Sequence, residues 1–526
     1  MPINQKHIVW FGVVALLALT FLLYSQTLTF DFVNWDDDMY VYDNLRAHEF
    51  SSATIWWFFV NPYFNSYTPV TLLSHVVDIA VWGLKPAGHH LTNLVLHTCN
   101  TLWIFLLCLQ LMNLIQPARD AENAQWSERL LSCLFAATLF AWHPLRVESV
   151  AWVSDRKDLL CLFFLLPSVI SYLVSRRAGA PAKRLRWFAI SLVLFLLACL
   201  AKSVAVTLPL VLLLLDWAVM RREGLVPLVK EKLPYMIVSM AIAGVAIAVS
   251  PPATSSDMFD IFSPLQRVLL PFYNIMFYLG KTVVPMTLSP IYPPAKEATM
   301  AVAFVLFVIF SLGTLPALKK GHRLLVAAWA AYVILLLPTS VALQAVMQTT
   351  ADRYTYLPSV VVAIAAGMGT YTLMQRLSGT LERRIVITAL IAIAAFLAFL
   401  SVRQQRVWTN SVTLWNRAIA LYPTMPLPHN NLGLALQTRG EIQRAQEEYT
   451  RAIELNPEDA NAFFNAGDAL YQLGAYEAAV ETYTAGLQRD PHNVQGFFVL
   501  GNAYFQMGAY EAAMMAFQQV LALQPD

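Results

Sequence analysis

The stretch LTNLVLHTCNTLWIFLLCLQLMNL occupies residues 91–114 and decides the fold, because it contains no Asp, Glu, Lys or Arg. An α-helix of this length is about 36 Å long, which is enough to cross roughly 30 Å of hydrocarbon. The rest of the 526-residue chain has the same character, with 58% hydrophobic and only 13% charged residues. Soluble domains carry about 25% charged residues. The composition therefore excludes a soluble enzyme and a disordered scaffold.

Ten further apolar runs lie on either side of this stretch. Together they predict membrane spans at 8–25, 91–114, 130–143, 159–175, 187–201, 204–220, 235–250, 299–317, 323–338, 357–375 and 385–402. One more stretch, 268–285, contains Pro271, Lys281 and Pro285, and we interpret it as a re-entrant or interfacial helix. The sequence thus predicts an all-α, polytopic membrane domain of about eleven spans over residues 1–403.

Charge predicts which loops face the cytoplasm. Lys and Arg concentrate in four loops, at 175–186, 221–232, 319–323 and 376–384. Cytoplasmic loops are enriched in these residues, and eleven spans with a cytoplasmic N-terminus place all four loops on that side. Counting 268–285 as a span would move the last two loops outside. We therefore predict that the N-terminus is cytoplasmic and that the region after 403 is extracytoplasmic.

Residues 404–526 repeat a pattern every 34 residues. Each unit combines a glycine, an alanine, an aromatic residue and a closing proline: Gly433, Ala445, Tyr449 and Pro457; Gly467, Ala479, Tyr483 and Pro491; Gly501, Ala513, Phe517 and Pro525. The period and the pattern resemble tetratricopeptide repeats. We predict an α-solenoid with a half repeat at 411–423 and repeats at 426–457, 460–491 and 494–525.

The repeats also predict a class of partner. Such arrays present a concave groove that usually binds a protein or peptide, although a spacer or a dimerisation surface would use the same architecture. The region holds six Arg, no Lys and twelve acidic residues. This balance excludes a nucleic-acid partner.

The first outer loop, 26–90, begins with an acidic cluster. In DFVNWDDDMYVYDN (31–44), Asp36, Asp37 and Asp38 follow Trp35 directly. Carboxylates in such a cluster take a proton from an acceptor hydroxyl or hold a divalent cation, while a solvated acidic turn is the plainer alternative. The remainder of the loop predicts two helices on the bilayer surface, at 51–63 and 68–84.

The next motif, GHHLTNLVLHTCN (88–100), lies at the outer end of the second span. His90, Asn93 and His97 share one face of the helix at spacings i, i+3 and i+7. They suit binding of a sugar or a phosphate oxygen, a metal site, or hydrogen bonding between helices. The sequence leaves these three alternatives open.

The second outer loop, HPLRVESVAWVSDRKDLL (143–160), is densely charged for a membrane boundary. Its candidate site residues are His143, Arg146, Glu148, Arg156, Lys157 and Asp158. Lys202 and Arg353 lie at the outer ends of the fifth and tenth predicted spans. Arg and Lys there would clamp a lipid phosphate, whereas ion pairs or snorkelling to the headgroups would explain each of them singly.

These motifs, in this order, resemble the GT-C glycosyltransferases. The specific resemblance is to the transmembrane-and-tetratricopeptide-repeat family of protein O-mannosyltransferases and its bacterial relatives. The motifs that carry it are WDDD (35–38), GHHLTNLVLH (88–97), HPLRVESVAWVSDRKDLL (143–160), AKS (201–203), LSPIYP (288–293) and ADRYTYLPS (351–359), followed by the repeats.

The resemblance implies an inverting transferase on the periplasmic face of a bacterial inner membrane. It would move a sugar from a polyprenyl-phosphate donor to a Ser or Thr hydroxyl of a protein acceptor. Catalysis maps onto Asp36 and Asp37, which are also the ligands that any divalent cation would use. Binding of the donor phosphate maps onto Arg156, Lys157, Lys202 and Arg353. The expected substrate-binding residues are His90, Asn93, His97, His143, Arg146, Glu148 and Asp158.

Two other functions compete with this interpretation. A non-enzymatic, membrane-anchored repeat scaffold for envelope assembly would need fewer spans and would leave the charged outer loops unexplained. A transporter would need polar residues near the middle of the membrane, whereas the charges here collect at one face. Asp36 and Asp37 therefore separate an enzyme from a scaffold, because only an enzyme needs them for sugar transfer.

Overall fold

A computed structural model describes residues 3–116, 123–249, 262–340 and 348–524. These residues are largely helical, and their only β-structure is an isolated bridge between Tyr63 and Ser66. Contacts divide the chain into two units: the first comprises residues 1–32 and 36–408, and the second comprises 33–35 and 409–526. Pro525, the last proline of the repeat pattern, lies outside the described residues.

The first unit carries the apolar runs. Its described helices are α1 (Ile3–Tyr24), α2 (Ser52–Val60), α3 (Pro69–Trp82), α4 (Pro86–Ile115), α5 (Asn123–Ala141), α6 (Val147–Ala151), α7 (Arg156–Arg177), α8 (Pro181–Ala201), α9 (Leu208–Ala218), α10 (Leu225–Val249), α11 (Pro264–Val283), α12 (Glu297–Lys319), α13 (Arg323–Ser340), α14 (Ser359–Arg376) and α15 (Thr380–Gln405). All eleven predicted spans fall on these helices.

Seven helical segments of the described chain are long and apolar enough to cross a membrane. They are Trp10–Thr29, Pro86–Ile115, Val153–Arg177, Pro181–Ala201, Leu225–Val249, Glu297–Lys319 and Thr380–Trp408. An eighth arises if Trp126–Ala141 and Pro144–Ala151, bent by 53°, form one broken span. The other predicted spans fall on α9, α13 and α14, which are shorter or less apolar. The prediction of an integral, all-α membrane protein is confirmed, while the count of eleven spans and their sidedness stay predictions.

The stretch predicted as re-entrant or interfacial forms α11. Ser263 caps this helix reciprocally with Gln266, which satisfies backbone donors of its first turn. Its buried residues include Leu269, Leu270 and Tyr278, and the helix packs on α12. Its relation to the membrane stays a prediction.

The first outer loop is folded rather than solvated. Its helices α2 and α3 enclose an apolar cluster of Tyr40, Val41, Ala47, Phe58, Leu72, Val76 and Val153. Val153 belongs to a 3₁₀ turn, Val153–Asp155, directly before α7. We call residues 36–38 the acidic segment. The apolar cluster therefore packs the part of the first outer loop that carries this segment against the charged second outer loop.

The second unit consists of paired helices. They are α16 (Ser411–Leu421), α17 (Pro426–Thr438), α18 (Ile442–Leu455), α19 (Ala460–Gln472), α20 (Tyr476–Arg489), α21 (Val494–Gln506) and α22 (Tyr510–Leu523). A Cβ atom on Gly433 would lie 2.6 Å from the ring of Tyr449, and one on Gly501 equally close to Phe517. The repeat glycines thus let each aromatic ring fill the space between paired helices, and the predicted tetratricopeptide architecture is confirmed.

Candidate active site

Asp37 is fixed inside the first unit. Its carboxylate is 1% exposed, and Oδ1 accepts hydrogen bonds from the backbone N–H of Ser154 at 2.9 Å and from the Ser154 hydroxyl at 2.6 Å. Ser154 lies in the 3₁₀ turn before α7. Asp37 therefore fastens the acidic segment to the second outer loop.

Asp36, the preceding residue, is more exposed than Asp37 and is not anchored by a hydrogen bond of its side chain in the described part of the chain. Its side chain is only partly buried. Burial raises the pKa of Asp36 above its ordinary value. The cations of Lys157 and Arg353 oppose this rise, and the charges of Asp38 and Asp155 add to it. Asp36 is thus an accessible carboxylate, less acidic than usual, close to two cations.

Three cations are joined by two aromatic rings, and we call Lys157, Arg353 and Lys202 the cation cluster. Lys157 lies 5.9 Å and Arg353 5.1 Å from the ring centroid of Trp152. Arg353 and Lys202 lie 5.0 and 5.8 Å from the ring of Tyr354. Cations within about 6 Å of an aromatic face are attracted to it, so the rings hold three like charges in one region.

Tyr40 connects the cation cluster to Asp36. Lys157 lies 5.3 Å from the centroid of the Tyr40 ring. The backbone N–H of Tyr40 donates to the carbonyl of Asp36 at 3.0 Å. The acidic segment therefore turns directly beside the Lys157 ammonium.

The three cations differ in their pairing. Lys202 donates to Asp158 at 2.6 Å, and Arg353 donates to Glu148 at 2.6 Å. Among the described residues, Lys157 has no ion pair. A buried or half-buried cation without a counter-ion is costly, so Lys157 is the best placed of the three to receive an anion from a ligand.

Arg156 belongs to a different network. It is fully buried, and its guanidinium donates to Asn93 at 2.8 Å and to the His89 carbonyl at 2.9 Å. It also pairs with Asp78 at 2.5 Å. The remaining guanidinium nitrogen, Nη1, donates to the Ser74 carbonyl. Each of the three guanidinium nitrogens therefore has a protein partner. Arg156 joins α3, α4 and α7.

The histidine face of α4 is turned into the protein. His97 is hydrogen-bonded to the Tyr356 hydroxyl at 2.8 Å and donates to the Ala141 carbonyl at 3.1 Å. Asn93 donates to the Trp152 carbonyl at 3.1 Å, and His90 is 1% exposed with its ring edge-on to Phe30. Of the three alternatives left open by the sequence, this geometry favours hydrogen bonding between helices.

Arg146 and His143 connect the second outer loop to later helices. Arg146 donates to the Thr355 carbonyl at 2.9 Å and to Ser359 at 2.8 Å. His143 donates to the Thr282 carbonyl at 3.0 Å. His143 thus joins the loop before α6 to α11, and Arg146 joins it to the segment that carries Arg353 and to the start of α14.

The structure adds two residues to the predicted site. Ser154 anchors Asp37, and Asp155 is buried and close enough to raise the pKa of Asp36. The charge density of residues 154–158 signalled Asp155, whereas nothing in the sequence marked Ser154. In the described ranges, no group of three or more His, Cys, Asp and Glu side chains is arranged to hold a metal ion.

Fold and site together define a polytopic, all-α membrane protein with tetratricopeptide repeats and a charged site at one end of its helices. Tetratricopeptide-repeat family models match residues 430–494 and 470–526. A solved structure of MamA is similar over 22% of this chain and 63% of that chain, with 24% identity and a TM-score of 0.21.

Among curated proteins, the chain is similar to protein O-mannosyl-transferases. Protein O-mannosyl-transferase TMTC4 of Homo sapiens is 24% identical over 431 residues, which cover 73% of this chain and 57% of that protein. Protein O-mannosyl-transferase F38B6.6 of Caenorhabditis elegans is 22% identical over 396 residues, which cover 73% and 53%. The chain spans a little over half the length of these relatives. The resemblance predicted from the motifs is confirmed.

Proposed function

We propose that this protein is a membrane glycosyltransferase that moves a sugar from a polyprenyl-phosphate donor to a hydroxyl of a protein acceptor. The names of the relatives support transfer to protein. The observation that carries the proposal is the pairing pattern of the site: Asp36 lacks a hydrogen-bond partner and Lys157 lacks an ion pair within the described residues, although both lie in a region dense in charge.

Asp36 acts as the general base. Its raised pKa brings it nearer to neutral pH, where proton transfer from a hydroxyl is more favourable than to an ordinary carboxylate. As the proton moves to Asp36, the acceptor oxygen attacks the anomeric carbon and the bond from that carbon to the phosphate oxygen breaks. One displacement on the opposite face inverts the anomeric centre.

Lys157 neutralises the charge that grows on the departing lipid phosphate. Preorganised cations aimed at developing charge lower the barrier without reorganising during the reaction. Arg353 and Lys202 add to the positive potential at the phosphate, although each is also paired with a carboxylate, Glu148 and Asp158 respectively. Both pairs keep their cations in place when no donor is bound.

Asp37 and Arg156 have positioning roles in this proposal. Asp37 holds the acidic segment through Ser154. Arg156 holds α3, α4 and α7 together through Asp78, Asn93 and His89. The donor phosphate then meets Lys157 rather than Arg156, although the two are adjacent in sequence.

The repeats present the acceptor. Tetratricopeptide arrays bind peptides in their concave groove. The bias of Lys and Arg among the loops supports an extracytoplasmic location for both this unit and Asp36. We place the reaction at the periplasmic face of a bacterial inner membrane, with Ser or Thr of an envelope protein as acceptor.

Two measurements test the function. Mass spectrometry of lipid that co-purifies with the protein is expected to find a polyprenyl-phosphate sugar. Cells that express Asp36→Asn at the normal level are expected to lose a subset of envelope glycoproteins. If neither Asp36→Asn nor Asp37→Asn changes any envelope glycoprotein, the enzyme proposal is wrong and a membrane-anchored scaffold remains.

A further inference from the structure

The turn that carries Arg353 is fixed on both sides of the next residue, Tyr354. In this 3₁₀ turn, Asp352–Thr355, the Asp352 carboxylate accepts from the Tyr292 hydroxyl at 2.7 Å. The Thr355 hydroxyl closes the turn by donating to the Asp352 carbonyl at 2.7 Å. The backbone around Tyr354 is therefore held by contacts within the first unit, before any ligand binds.

The Tyr354 side chain differs from its neighbours in the turn. Asp352, Arg353 and Thr355 are buried, and each uses side-chain polar atoms in hydrogen bonds within the protein. Tyr354 is only partly buried, and among the described residues its hydroxyl has no hydrogen-bond partner. The turn thus presents an unpaired phenol donor from a rigid backbone.

Two members of the cation cluster lie near the ring of Tyr354. Arg353 and Lys202 are 5.0 and 5.8 Å from its centroid, which is within the range of cation–π attraction. Burial opposes the charge of Arg353, but the phenol oxygen of Tyr354 and the Glu148 carboxylate raise the pKa of its guanidinium. The phenol oxygen therefore lies close to the positive potential that would attract an anion.

The Tyr354 ring also packs against a hydrophobic cluster. The cluster comes from α11 and α13 and consists of Ile275, Tyr278, Tyr332 and Leu336. Tyrosine combines an apolar body with a polar tip, which suits a boundary between apolar and charged surroundings. A lipid phosphate has the same two parts, because a hydrocarbon chain is joined to an anionic group. Tyr354 thus lies where the chemistry of such a ligand is matched.

We propose that the Tyr354 hydroxyl donates a hydrogen bond to the phosphate of the lipid-linked donor and keeps that bond while the sugar is transferred. This inference rests on the proposed function, because that function supplies the lipid phosphate. When the bond from the anomeric carbon to the phosphate oxygen breaks, its electron pair stays on the oxygen. The phosphate gains one negative charge, and a hydrogen bond to a charged acceptor is the stronger kind. Tyr354 keeps its own proton throughout, since the acceptor proton moves to Asp36.

A tyrosine at a membrane boundary has a plainer use as an interfacial anchor. An anchor affects insertion and stability, and it leaves the affinity for a phosphate unchanged. Tyr354→Phe separates the two roles, because it retains the ring near Arg353 and Lys202 and removes only the hydroxyl. Tyr354→Leu removes the ring as well, and therefore reports on how far the ring holds the two cations.

Binding without turnover tests the contact. The whole chain in detergent is titrated with farnesyl phosphate, and with farnesol as the same hydrocarbon chain without the phosphate. Loss of one hydrogen bond to a charged group weakens binding by roughly ten- to a hundredfold. Tyr354→Phe is expected to lose that much affinity for farnesyl phosphate, to bind farnesol as wild type does, and to keep the wild-type unfolding temperature. In an active enzyme its kcat should fall by a similar factor.

Tyr67→Phe is the matched control. It makes the same substitution in the same unit, but the hydroxyl that it removes donates to the Phe59 carbonyl at 2.8 Å. Its affinity for farnesyl phosphate should equal that of wild type. Phosphatidylglycerol, added as a competitor, distinguishes a donor site from a general site for phospholipid headgroups, and it should displace farnesyl phosphate only weakly.

The outcomes separate this inference from the proposed function. If wild type binds farnesyl phosphate through Tyr354 and transfers no sugar, the function is wrong and the phosphate contact stands. Equal affinity of Tyr354→Phe and wild type, absence of farnesyl phosphate binding by wild type, or an equal loss in Tyr67→Phe would overturn the inference. Displacement by phosphatidylglycerol with the affinity of farnesyl phosphate would also overturn it, because the site would then serve bilayer lipids.

Discussion

Two regions of the membrane unit concentrate charged side chains and differ in how the charges pair. One is the site around Asp36 and the cation cluster. The other, which we call the inner network, consists of Arg176, Asp216, Arg222, Glu231 and Lys232 at the ends of α7, α9 and α10. In it, Glu231 accepts two bonds from Arg222 at 2.8 Å and pairs with Arg176 at 3.0 Å.

Asp216 completes the inner network. It pairs with Lys232, and both side chains are fully buried. It also accepts from the Tyr172 hydroxyl at 2.7 Å and from Arg222 at 3.2 Å. Each cation of the network therefore has a carboxylate, whereas among the described residues the site keeps Lys157 without an ion pair. We infer from this difference that incomplete pairing, more than charge density, distinguishes the proposed site from a structural charge network.

The largest expected effect is that of Asp36→Asn. Removing a general base costs about 10²- to 10⁴-fold in kcat. The thermal unfolding temperature should not fall, because the substitution removes a charge that burial disfavours. Asp38→Asn, one residue beyond the Asp37 anchor, is the control, and its rate should stay within a few-fold of wild type. Equal rates for Asp36→Asn and wild type would show that Asp36 is not the base, and the proposed site would then differ from the inner network in pairing alone.

The second prediction concerns the cation without an ion pair. Lys157→Met should lower kcat by about 10²- to 10³-fold, the scale of losing one group that stabilises developing charge. Lys157→Arg retains the charge and should recover most of the rate. Single-turnover transfer from a radiolabelled donor measures the chemical step, and no difference between Met and Arg at this position would contradict the assigned role.

The inner network supplies the third prediction, on stability. Lys232→Met leaves Asp216 buried with one cation fewer, and breaking such a pair costs about 3–5 kcal/mol. The unfolding temperature in detergent should therefore drop, while the rate per folded molecule stays that of wild type. A variant with normal stability and reduced rate would assign the network a part in catalysis.

The smallest effect expected is a shift in the pH profile. Asp36 must be ionised to accept a proton, and its pKa lies above the ordinary value of about 3.9 because of burial. The rate should rise with pH through this raised pKa, so the acidic limb should lie at higher pH than for a carboxylate of ordinary pKa. Lys157→Met removes a charge that lowers the pKa of Asp36, and the limb should then move to higher pH. A limb that moves to lower pH would contradict the proximity of the two groups.

The sequence predicted those parts of the structure that depend on local pattern. Helical spans followed from apolar runs, and the repeats from a 34-residue period. The acidic segment stood out because Asp36 and Asp37 interrupt an aromatic loop. The different roles of these two neighbours did not follow, because they depend on whether Ser154, over a hundred residues later, reaches the carboxylate.

Partners that are distant in sequence also explain why Arg156 and Lys157 have different roles. Arg156 and Lys157 are adjacent and chemically alike, yet Arg156 meets Asp78 and Asn93 while Lys157 faces Tyr40 and Trp152. A helix turns by about 100° per residue, so neighbours point to different surroundings.

Sugar transfer by the purified protein in liposomes tests the central claim most directly. The assay follows label from a polyprenyl-phosphate sugar into acceptor protein for wild type, Asp36→Asn, Lys157→Met and Lys232→Met, each normalised to folded protein. We predict that wild type and Lys232→Met transfer label at the same rate, and that the other two are slower by at least about a hundredfold. Transfer by Asp36→Asn at the wild-type rate would contradict the account.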